Sequence, residues 1–200
     1  MTILLFAVVG ILMASGSANT ITAFDRGASN LSGDSTVSMP KPVGTAKTRT
    51  VFDVARAGTL DELKNLEKAD SETINAVNDQ GFSPLILACY RGNIQVADYL
   101  IDHVKDVNYK SKEGTALAGV CVRYNKELVE HLLSKNANPN IADEAGNTPL
   151  FWAVKTGNRE LVEILLKHKA DKTLKDENGA TPFEYALQTK NTEIINLLKD

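Results

Sequence analysis

The chain has 200 residues, a formal net charge of −3, 43% hydrophobic residues and 24% charged ones. That length sets a soft expectation of one compact domain with some additional chain, and the composition is that of an ordinary folded protein. The slight acidity gives no electrostatic case for nucleic acid as a partner.

In chain order, residues 1–18 (MTILLFAVVGILMASGSA) carry no charged side chain, and residues 3–13 form an apolar run. The run is shorter than the about 20 apolar residues of a membrane helix, so no stable span is expected. It has the form of a secretory signal core followed by small residues, with cleavage sites at Ala14-Ser15-Gly16 or Gly16-Ser17-Ala18, although a basic leader is missing. Export to the periplasm or the cell exterior is the expectation; a cytoplasmic protein with an apolar N-terminus is the alternative. Residues 19–49 are rich in Ser, Thr, Gly and Ala with few large apolar groups. Such a stretch buries too little surface to offset its ordering entropy, so it reads as a flexible tether. Asn30-Leu31-Ser32 is a glycosylation acceptor only in a eukaryotic host.

From Asp53 onward the sequence echoes itself with a period of about 33 residues. Turns end at Gly81, Gly114, Gly146 and Gly179, and lead into SPLILAC (83–89), TALAGVC (115–121), TPLFWAV (148–154) and TPFEYAL (181–187). Segments opening at Asn93, Asn125, Asn158 and Asn191 follow, each ending in paired aliphatics. This pattern resembles the ankyrin repeat family over residues 50–200. Thr148-Pro149-Leu150 with Ala153, and Thr181-Pro182-Phe183 with Ala186, match the family's motif closely; Ser83-Pro84-Leu85 is a conservative variant and Thr115-Ala116-Leu117 a weaker one. The resemblance implies an all-α solenoid of about four helix-turn-helix repeats with β-turn fingers, with boundaries near 50–77, 78–109, 110–142, 143–175 and 176–200. Residues 51–66 read as an incomplete first repeat acting as a cap, and the four units from residue 78 onward are repeats one to four. The family's usual His after the Leu is replaced by Ile86, Ala118, Phe151 and Glu184, which removes a loop-bracing hydrogen bond but not the fold.

Elementary chemistry points the same way. Ser83, Thr115, Thr148 and Thr181 are good N-caps, and Pro84, Pro149 and Pro182 fall at the first helical position. Gly92 and Gly157 suit a left-handed helix end. In the second helix of repeat three, Leu161, Ile164 and Leu165 share one stripe. One helix pair cannot bury its own apolar face, so stability must come from stacking neighbours.

Chemical alternatives are weaker. Cys89 and Cys121 align in adjacent first helices, whose axes lie about 8–10 Å apart, beyond the about 4.4–6.8 Å between Cα atoms that a disulfide needs. Both are expected to be buried, free and slow to react. His103 and His168 lie two repeats apart, and His131 is placed on an inward stripe, so no metal or other cofactor is expected. Residues 176–179 open like a calcium loop, yet Leu187 stands where its bidentate Glu belongs. No nucleophile elbow, phosphate loop or metallo-hydrolase motif is present, and no catalytic residue is assigned.

Helical spacing then selects a candidate face. In repeat three Leu150, Ala153 and Val154 face inward by the i, i+3, i+4 rule, which leaves Trp152, Lys155 and Thr156 opposite. The corresponding positions supply a partner-binding set of Leu87, Tyr90, Arg91, Arg123, Trp152, Lys155 and Tyr185, with Gly119 leaving a gap for a partner side chain. Trp, Tyr and Arg are enriched at binding hot spots. The expected function is a non-catalytic, monomeric, exported module that binds a protein through its concave face. Small exported proteins of this family are known in bacteria, some associated with catalases and some acting as immunity partners of toxins. The alternatives are an accessory to a stress or redox enzyme that handles a small ligand or haem, which needs a deep pocket, and an intracellular ankyrin regulator.

Overall fold

The computed structural model describes residues 49–199, and within them the chain is all-helical. The signal-like segment and all of the tether except Arg49 lie outside the described residues. Arg49 itself is part of the folded array: its Nη1 donates to both carboxylate oxygens of Glu62 at 3.0 and 3.1 Å, and its Nη2 to the Asp53 carbonyl at 3.2 Å.

Helices come in antiparallel pairs: α1 (Val51–Ala57) with α2 (Leu60–Ala69), α3 (Pro84–Arg91) with α4 (Ile94–His103), α5 (Ala116–Val122) with α6 (Lys126–Ser134), α7 (Pro149–Lys155) with α8 (Arg159–Lys167), and α9 (Pro182–Thr189) with α10 (Thr192–Lys199). The N-terminal unit, expected as a partial capping repeat, consists of the helix pair α1 and α2. Thr50 and Thr59 start its helices with reciprocal capping boxes to Asp53 and Glu62, a signal that lies in the sequence itself.

The first helix of each later pair begins as its residues dictate. Ser83, Thr115, Thr148 and Thr181 each accept from the amide three residues on, at 3.3, 3.4, 3.5 and 3.2 Å. Glu184, standing where the family has His, accepts in return from the Thr181 amide at 2.7 Å, and that bond holds its carboxyl below the usual value. Gly92 and Gly157 adopt φ of 72° and 68°, the left-handed region that a Cβ disfavours.

Stacking builds the core. The inner helices α1, α3, α5, α7 and α9 pack in order, and α4 contacts α2 and α6 on the outer layer. Ala88, Val120, Ala153 and Ala186 recur in register and are buried, which lets successive inner helices approach closely. Leu132, Leu161 and Leu165 are buried completely from the outer helices, each burial being worth about 1.5–3 kcal/mol.

Polar stitches join the repeats at two further levels. The Asn108 amide donates to the Asn136 carbonyl at 3.1 Å and its oxygen accepts from the Asn138 amide at 2.7 Å. Asn140 repeats this one unit on, donating to the Lys169 carbonyl at 3.2 Å and accepting from the Asp171 amide at 2.7 Å. At the fingers, Glu144 N donates to the Lys112 carbonyl at 2.8 Å and Glu177 N to the Ala145 carbonyl at 2.9 Å.

Candidate protein-binding face

Inner helices α3, α5, α7 and α9 position the predicted face, and the structure divides its seven residues into three groups. Leu87 does not belong to it: the side chain is 6% exposed and lies in the core. Residues 84–89 of α3 are all buried, because neighbouring inner helices, the outer helix and the finger together cover more of the circumference than a one-sided stripe allows. Tyr90 is half-buried. Its hydroxyl donates to the Glu113 carbonyl at 2.5 Å, and burial, reinforced by the Glu113 carboxylate, raises its pKa. Its ring lies against Gly119, where a Cβ would stand 2.7 Å from Tyr90 Cδ2. The gap expected at Gly119 is thus filled from within, and Tyr90 braces the next finger.

Trp152, Lys155 and Tyr185 form a second group, all half-buried. Lys155 Nζ lies 5.0 Å from the Trp152 ring centroid, 5.6 Å from that of Tyr185 and 5.8 Å from that of Phe151. An ammonium within about 6 Å of a ring face is attracted by its quadrupole. The same Nζ donates to Asn147 Oδ1 at 2.6 Å, and the Asn147 amide nitrogen donates to both oxygens of Asp143 at 3.1 Å. This Lys–Asn–Asp relay braces the finger of repeat three where the family's His is missing. Asn78 and Asp176 brace theirs by accepting amides two and four residues on. Lys155 is accordingly a tied cation that fixes two aromatic rings, rather than a free contact. The Trp152 indole Nε1 is buried and has no hydrogen-bond partner among the described residues.

Arg91 and Arg123 make the third group. Both are exposed, and they line a cleft at the opposite end of the inner helices from the fingers. Val122 and Leu187 are exposed as well, at 41% and 48%; helical spacing placed Val122 on the stripe and missed Leu187. Val122 was visible as the counterpart of Tyr90 and Lys155. Leu187 follows from the absence of a further inner helix against α9 among the described residues.

The histidines and cysteines lie elsewhere. His131 is not on an inward stripe; it sits between α4 and α6, with Nδ1 2.8 Å from Asp98 Oδ1 and Nε2 3.1 Å from Asp102 Oδ1. Lys135 and then His131 hold Asp102 below the usual carboxylate range. His103 stacks on Tyr99 at 3.8 Å. Among the described residues no group of three or more His, Cys, Asp or Glu side chains is arranged to hold a metal ion. Cys89 and Cys121 are buried and free, and burial pushes both thiols up. A thiol reagent is expected to spare both while the fold persists and to label both on denaturation. Rapid labelling of either in the native protein, or a bridged peptide in mass mapping, would count against this.

A stack of short helix pairs joined by reaching turns, with a continuous inner-helix face, defines the class of helical-repeat proteins. The family pattern for ankyrin repeats in three copies matches residues 51–143 and 118–200. The chain belongs to the ankyrin repeat family. It is 30% identical over 118 residues to human ankyrin repeat domain-containing protein 63, covering 56% of this chain and 31% of that protein. It is 30% identical over 100 residues to rat ankyrin repeat and SAM domain-containing protein 6, covering 49% and 11%. It is also 29% identical over 108 residues to mouse inactive serine/threonine-protein kinase TEX14, covering 54% and 7%. The matched segments thus span less than a third of these relatives' lengths.

Proposed function

We propose that this chain is a non-catalytic protein-binding module whose partner docks on the inner-helix face around Trp152 and Tyr185. Ankyrin repeats serve as protein-interaction scaffolds, and stacked repeats present extended concave surfaces suited to that use. The observation that carries the reading is the Lys155 clamp. It holds two half-exposed aromatic rings from adjacent repeats in one fixed arrangement, and aromatic anchors ordered before binding lose little entropy when they are covered. Arg91 and Arg123 extend the surface with positive charge; Tyr90 contributes by fixing the finger, and Leu87 by packing the helix that carries them.

The protein is proposed to act as a monomer outside the cytoplasm, its array carried on the tether of residues 19–48. Support for export is the uncharged, apolar segment at 3–13 and the small residues after it. A bacterial source rests on the resemblance in layout alone. Fractionation with N-terminal sequencing tests export, and an intact Met1 in the cytosol would end that proposal. The face is tested by affinity capture from the native host with wild type and Trp152→Ala/Tyr185→Ala. Each truncation at a hot spot costs about 2 kcal/mol or more, so the double variant is expected to lose its partner. Retention of every partner at full strength would show that the face is wrong.

A further inference from the structure

The cleft beside Arg91 and Arg123 arises from a local departure in repeat two. In repeats one, three and four the inner helix ends in a left-handed residue, Gly92, Gly157 or Lys190, and its own amide and the following one turn back on the helix. Gly92 N reaches Cys89 O at 3.2 Å and Asn93 N reaches Ala88 O at 2.9 Å; Gly157 and Asn158 pair with Val154 and Ala153 at 3.0 and 3.1 Å, and Lys190 and Asn191 do the same at 3.2 and 3.4 Å. Repeat two has Tyr124 at this place. A bulky side chain disfavours positive φ, so the chain leaves α5 through Arg123 at φ −109°, ψ 25°. Among the described residues, no backbone hydrogen bond is donated by Arg123, Tyr124 or Asn125. The Tyr124 hydroxyl is drawn instead to Glu160, 2.8 Å away.

What opens there is a cleft of about 300 Å³. Buried Val120 and Leu128 and 48%-exposed Ile94 give it an apolar side. The two guanidiniums give it a positive one, Arg123 lying across Gly92 with its Cδ 3.5 Å from where a Cβ would stand. Among the described residues Arg49, Arg56 and Arg159 each meet a carboxylate, whereas neither Arg91 nor Arg123 makes an ion pair or a side-chain hydrogen bond.

We infer that this cleft binds a peptide carboxylate carried next to an apolar side chain. Guanidiniums and unpaired backbone amides are all donors, so they call for an acceptor with several lone pairs and negative charge, which a carboxylate supplies in a bidentate geometry. A bare inorganic anion would leave Ile94 uncovered; a peptide with an aliphatic residue beside its carboxylate covers it. The inference rests on the protein-binding reading only for a peptide as the source, and it stands or falls separately from the Trp152–Tyr185 face.

The test titrates the isotope-labelled full chain with three acetylated pentapeptides, followed by NMR. The first is Ala-Leu-Glu-Leu-Ala amide, the second its Gln counterpart as an amide, and the third the Gln peptide with a free C-terminal carboxylate. Inorganic phosphate is a fourth titrant. One or both carboxylate peptides are expected to shift the Tyr124 and Asn125 amides and the Nε resonances of Arg91 and Arg123, and whichever binds identifies the source. Arg91→Ala/Arg123→Ala, which removes only exposed side chains, is expected to weaken binding by about tenfold or more. Arg91→Lys/Arg123→Lys is expected to restore part of it, because an ammonium keeps charge but loses the fork. Equal binding of the neutral Gln amide, no shift with either carboxylate, or full affinity in the alanine variant would overturn the inference. So would phosphate matching the peptides.

Discussion

Phe151→Ala is expected to lower the free energy of unfolding by about 3–5 kcal/mol, the range for deleting a fully buried aromatic side chain. Phe151 is 0% exposed, and it is the largest side chain among those buried completely. Its loss removes transfer energy and leaves a cavity at the base of α7, flanked by helices too closely packed to collapse into it. The ring also faces the Lys155 ammonium, so the variant is expected to loosen the relay to Asn147 and Asp143 as well. Phe151→Leu, which keeps much of the volume, should cost about 1.5 kcal/mol or less. Urea unfolding of the three proteins checks the order; a loss under about 1 kcal/mol for the alanine variant would show that the site relaxes freely.

A second large effect is expected at a finger. Gly146 and Gly179 have nearly the same backbone, φ 79° and 77°, so an alanine at either meets the same left-handed cost of about 1–2 kcal/mol. Their surroundings differ. A Cβ at Gly146 would stand 2.8 Å from the Asp176 Cα, which is backbone and cannot swing aside, whereas a Cβ at Gly179 meets nothing within 4 Å. Overpacking of that kind costs about 1–3 kcal/mol more. Gly146→Ala is therefore expected to destabilise clearly more than Gly179→Ala and to weaken the Glu177–Ala145 backbone bond between fingers. Equal melting temperatures for the two variants would refute the account.

The caps, the helix starts and the finger glycines were legible because each depends on a few consecutive residues: Thr148 and Pro149 start a helix whatever surrounds them. The first helix pair was legible only as a partial cap, because Thr50 and Thr59 belong to a unit without the Thr-Pro-Leu motif. Leu87 was misplaced for a geometric reason. A helical wheel divides a helix into one inner and one outer face, while an inner helix here is covered from several directions. Likewise Gly119 looked like a gap since only the stack brings Tyr90 over it, from another repeat. His131 owes its place to Asp98 and Asp102, about thirty residues away in sequence, which no local pattern connects. The cleft did leave a trace in the alignment, for Tyr124 stands in the column occupied by Gly92 and Gly157.

The asparagine stitches have a mechanical consequence. Asn108 and Asn140 each tie one unit to its immediate neighbour, and among the described residues neither reaches a second unit. Tension along the array is then carried as in a row of buttons rather than a woven cloth. A seam that gives way releases its own two sides, while units farther along keep their fastenings.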